Sequence, residues 1–166
     1  MRNKAGLLYG LGLWLVLSGG LGWAHHSDAV YDMTRMTILQ GTVTEHQFVN
    51  PHQVIRTKVR DSSGAVTLWT LVGAVVSANL AAGWTKDTLK AGDEVKAYGF
   101  PYRDGKPIMT WMRIVKADGK ILPISGAKND KLERYLETYC KNQLSPEDYE
   151  VFKKSLTYIG TNELNE

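Results

Sequence analysis

The chain has 166 residues, a formal charge of +3 and a single cysteine, Cys140. A balance this close to neutral argues against a nucleic acid or a strongly anionic partner, which would select a basic stripe. The lone thiol rules out an intramolecular disulfide, and we read it as a buried helix residue, not a nucleophile.

Arg2 and Lys4 precede an apolar run, Leu7 to Leu17, and Gly22-Trp23-Ala24 sets small residues where a signal peptidase reads them. The run is too short and too glycine-rich for a spanning helix, so residues 1–24 are predicted to be a removable signal. No cysteine follows the run to carry a lipid, which points to a periplasmic or secreted protein without stable membrane insertion after cleavage. Cleavage between Ala24 and His25 takes Arg2 and Lys4 away and leaves 142 residues with a charge of +1. That is enough for one domain with a core and a small appendage. It also makes His25 the terminal residue, with His26 beside it.

Residues 25–35 read as an irregular lead-in. Thr37 to Val49 has the β-branched density of a long strand, with Gly41 a candidate bulge. Asn50-Pro51 marks a turn, Val54 to Val59 alternates, and Val66 to Val72 completes a hairpin around Asp61-Ser62-Ser63-Gly64. Arg56, Lys58 and Arg60 share one parity of the second strand and are read as a solvated face. Val75 to Ala82 is a short helical stretch stopped by Gly83. Strands then run from Glu94 to Tyr102 and from Pro107 to Lys116, with a short sixth from Lys120 to Ile124. Three strands, a helix and two or three strands is the order of an OB-fold, so residues 36–126 are predicted to form a small OB-like barrel of five to six strands, mainly β. Trp69 and Trp111 are expected in its core. Residues 127–166 read as an αα-hairpin and tail. Leu132, Tyr135, Leu136 and Tyr139 have helical spacing, and Ser145-Pro146-Glu147-Asp148 has the form of a helix start.

The His25-His26-Ser27 start, Thr42-Val43, the Asn50-Pro51-His52 turn and the Gly83-Trp84-Thr85…Gly92-Asp93 segment together resemble a bacterial exported family classed as a domain of unknown function. The resemblance covers residues 24–124 and implies a periplasmic β-barrel domain. It brings no activity or ligand, and the tail after Gly126 falls outside it. Asp28 stands where the typical start carries an aromatic.

Two constellations have chemical content. A terminal His25 chelates through its amine and Nδ1, and a remote imidazole completes a three-nitrogen site suited to copper, with zinc second. His52, after its proline turn, is the expected remote ligand and His26 an accessory one, whereas His46 is expected to matter little. Tyr98, Phe100 and Tyr102, with Trp84, form the second constellation, a candidate stacking face, although core packing accounts for at least half of such aromatics. No nucleophile elbow, paired carboxylates or phosphate loop is present. The expected function is an exported metal-binding protein and not an enzyme. The alternative is an envelope interaction module using the barrel face or the helical hairpin, with incidental histidines. A third reading is a mononuclear copper oxidase on the same ligands. A lead-in that pairs with the barrel at the end opposite Asn50-Pro51 favours the interaction module.

Overall fold

The computed structural model describes residues 28–122, 137–138 and 140–154. Five strands, β1 (Thr37–Gln47), β2 (His52–Arg60), β3 (Val66–Val75), β4 (Glu94–Pro101) and β5 (Ile108–Lys116), close into a barrel in the order β1-β2-β3-β5-β4. All neighbours are antiparallel except β3 and β5. This is the Greek-key order of the OB-fold. Closure leaves no strand edge for another chain to extend. The helix α1 (Val76–Ala81) follows β3 directly, and the helix α2 (Pro146–Lys154) lies beyond the barrel.

The barrel interior is filled by alternate residues of every strand, among them Leu39, Val43, Ile55, Leu71, Val95, Met109, Trp111 and Ile114. Trp84 and Leu89, from the connection after α1, complete it. Trp111 is buried as expected; Trp69 is only half-buried and packs against the same cluster.

Gly41 is not the bulge. It pairs in register with Val59 on one side and Val95 on the other, and a Cβ there would overlap the Lys58 carbonyl, so glycine is needed for close strand approach. The register instead slips between Val43 and Glu45. That extra residue reverses the inward parity of β1 beyond it. The sixth strand reduces to a bridge between Val115 and Ile121, and Leu122 N–H donates to Ile114 O (2.9 Å).

A second core lies outside the barrel wall. Tyr98 and Phe100 of β4 are covered by Met36, Cys140 and Leu144, with Tyr31, Met33, Met112 and Tyr149 around them. The described part of the lead-in, from Asp28, is therefore held against the barrel. Its Asp28–Val30 segment is a 3-10 turn, Tyr31 bridges to Tyr102, and Asp32 N–H donates to Pro101 O (2.8 Å). Gln143 clamps it to the C-terminal segment, accepting from Met36 N–H (2.9 Å) and donating to Thr34 O (2.7 Å).

The start of α2 matches its sequence signature. Ser145 caps it, accepting from Asp148 N–H and donating to the Asp148 carboxylate, which also accepts from Lys96 Nζ and Tyr98 Oη. Leu132, Tyr135, Leu136 and Tyr139, which carry the expected first helix of the hairpin, lie outside the described residues.

Candidate functional site

Beyond the β1 slip, even-numbered residues face inward, so His46 turns into the end of the barrel where β2 begins and α1 crosses. Gln53 follows the inward parity of Ile55 and Thr57 and is fully buried. Asn79, also fully buried, reaches in from α1. These three side chains form one hydrogen-bonded chain. Asn79 Nδ2 donates to Gln53 Oε1, and Gln53 Nε2 meets His46 Nε2 at 2.7 Å. An amide NH₂ can only donate, so His46 Nε2 accepts and the imidazole carries its proton on Nδ1. Burial lowers the His46 pKa below its usual value; the backbone of Leu89 and Lys86 beside the ring works in the opposite direction. The Trp84 ring packs edge-on to His46 (5.9 Å) and against Trp111 (5.3 Å). A Cβ on Gly73 would lie 2.7 Å from the Trp111 indole nitrogen, so glycine there admits the ring.

His52 stands at the rim of this end, its peptide neighbour Asn50-Pro51 in the cis form. Its Nδ1 donates to Gly73 O (3.2 Å), which leaves the lone pair of the neutral ring on Nε2. The Pro51 carbonyl accepts from Val76 N–H (3.3 Å) and ties the turn to α1.

His25, His26 and the Ala24 cleavage position lie outside the described residues. The described segment that follows them is held at the end of the barrel opposite Asn50-Pro51, where Ala29 O accepts from Arg103 Nε (3.0 Å) and Tyr31 bridges to Tyr102. Among the described residues no group of three His, Cys, Asp or Glu side chains is placed to hold a metal ion.

The aromatic constellation is divided, not gathered. Tyr98 and Phe100 lie under the second core, Tyr102 is half-buried against the Tyr31 ring (4.9 Å), and Trp84 is 1% exposed inside the barrel end. None of Tyr98, Phe100 and Trp84 offers a stacking face. The residues that sequence reading missed are His46, Gln53 and Asn79. Gln53 was accessible from the alternation of β2; His46 was hidden by the slip in β1.

The open surface lies elsewhere. Outward residues of β2 and β3 pair as Arg60 with Val66, Lys58 with Leu68, Arg56 with Thr70 and Val54 with Val72. No described element covers this face, and Val66 and Leu68 stay 50% and 47% exposed.

The sequence matches the model of a family of unknown function (DUF6152) over residues 14–110. The chain belongs to that family. The match spans β1 to β4, Asn50-Pro51-His52, α1 and Trp84, and it ends before Trp111 and α2. Comparison with curated proteins returns no match.

Proposed function

We propose that this is an exported interaction module that engages an envelope protein through the open outer face of β2 and β3. The observation that carries it is the asymmetry of the barrel wall. The outer face of β4 and β5 is sealed by the lead-in and the C-terminal segment, whereas the β2–β3 face keeps Val66 and Leu68 in solvent. Strands 2 and 3 are also the ligand face of OB barrels in general. Closure means that a partner docks on side chains and not by adding a strand. The polar chain at the barrel end then serves as a lock that joins β1, β2 and α1, which is the use buried amide networks most often have. A photo-crosslinking residue at Leu68 in exporting cells should capture one discrete partner, while the same residue at the covered Met112 should not. Equal capture at both positions, or none at Leu68, overturns the reading.

Metal binding by a cleaved terminus is the second reading, copper before zinc, through His25 and His52 with His26 accessory. His52 favours it, because a ligating histidine typically donates its other ring N–H to a carbonyl, as Nδ1 does to Gly73. Cu(II) titration of protein beginning at His25 tests it against protein with one extra residue. Tight binding lost on extension supports the chelate; equal binding removes it.

A further inference from the structure

Arg56, Lys58 and Arg60 look like an ordinary solvated row when β2 is read alone. The fold adds three things to that row. It sets an apolar row beside it, with Lys58 opposite Leu68 and Arg60 opposite Val66. It leaves two of the charges unmatched: Arg56 pairs with Glu45 (3.1 Å), but Arg60 Nη1 donates to the neutral Gly64 carbonyl (2.7 Å), and Lys58 has no carboxylate partner among the described residues. It also opens a groove of about 450 Å³ beside them, lined by Gln40, Thr42, Lys58, Arg60, Val66 and Glu94 around Gly41. The nearest carboxylates, Glu94 and Asp61, form no ion pair with Lys58 or Arg60 and are held by neutral donors instead. Glu94 accepts from Thr42 Oγ1, and Asp61 accepts from Ser63 and Ala65 within the β2–β3 turn.

We propose that this face binds an extended acidic segment of a partner protein, seating a carboxylate in the groove between Lys58 and Arg60 and apolar side chains on Val66 and Leu68. The inference rests on the interaction-module reading and names the partner's chemistry. Charge complementarity selects the acidic side chains, since unmatched cations gain most from a carboxylate brought onto a partly desolvated face. Geometry selects the extended form. Alternate residues on a strand lie about 6.7 Å apart, so an extended segment presents its side chains at the spacing of Lys58 and Arg60. The near-neutral charge of the whole chain is no obstacle, because recognition depends on the local row.

The test uses the isotope-labelled full mature chain and short synthetic peptides of alternating Glu and Leu, with Lys and Leu peptides as control. The acidic peptide should shift the amide resonances of Lys58, Arg60, Val66 and Leu68, and high salt should weaken it. Lys58→Glu with Arg60→Glu should weaken binding roughly tenfold or more. The neutral pair Lys58→Gln and Arg60→Gln should fall between and guards against a folding defect. Equal binding of the basic peptide, shifts mapping elsewhere, or binding of anionic phosphatidylglycerol vesicles in place of the peptide overturns the proposal. The crosslink from Leu68 separates the two levels. An adduct that survives both Glu substitutions overturns the acidic segment and keeps the module; the absence of any adduct removes both.

Discussion

At the scale of single residues, His46 carries a burden that its neighbours do not share. Its Nε2 accepts from a fully buried amide, so removing the ring leaves Gln53 Nε2 without a partner inside the protein. His46→Ala should therefore cost about 2–3 kcal/mol of stability by chemical denaturation, combining an orphaned donor with a small cavity. The pH dependence has a definite sign. Burial holds the folded-state pKa of His46 below the unfolded value of 6.5, so the unfolded chain takes up the proton first. Stability is intact above pH 6.5 and declines as pH falls below it towards the folded pKa. Thermal melts across that window should show the decline, and His46→Gln should flatten it. A proton on Nε2 would also face the Gln53 NH₂, so the ring resists charging by geometry as well as by burial. Nitrogen chemical shifts of the imidazole check the inference directly, with the proton on Nδ1 as the expected tautomer.

Among the elements, α2 shows how a local signal becomes a tertiary contact. Ser145 and Asp148 close a cap that any isolated helix of this sequence would favour. In the fold the same carboxylate also accepts from Lys96 and Tyr98 on β4. Burial works to raise the Asp148 pKa, but the hydrogen bonds from Lys96, Tyr98 and Ser145 outweigh it and hold the carboxyl below its usual value. The contribution is present above pH 3.8 and is lost as pH falls through that lower folded value. Tyr98 is pushed the other way, well above its usual pKa, by its burial first and then by the Asp148 carboxylate. Asp148→Ala should loosen the C-terminal segment by about 1–2 kcal/mol without disturbing the barrel. Cys140 reports on this, since its thiol is fully buried in the second core and pushed up to about 11 by that burial. Maleimide should label Cys140 faster in the variant than in the parent, while the amide exchange of β2 and β3 stays unchanged.

For the molecule as a whole, the two faces of the barrel wall divide the labour. One is covered by the lead-in and the C-terminal segment, and the other keeps Val66 and Leu68 in solvent. Truncation after residue 126 should uncover Tyr98 and Phe100, so that a hydrophobic dye binds the shortened chain while far-ultraviolet circular dichroism retains its strand signal. Loss of the strand signal instead would show that the second core is needed for the barrel to close. Much of this architecture was open to sequence reading. The sequence of strands along the chain, α1 and the Ser145 cap all depend on local patterns: β-branched density, turn residues and side-chain period. What local pattern cannot carry is parity across a defect and contact at long range. A single extra residue between Val43 and Glu45 moved His46 from an unremarkable strand position into the barrel end. The alternation of Tyr98 and Phe100 correctly put them on one face, yet only the return of residues 140–149 made that face a core. The sequence by itself determined which residues alternate and where the chain turns. Only the tertiary structure decided which side of the wall is covered, because burial depends on elements a hundred residues apart in the chain and no local preference encodes their meeting.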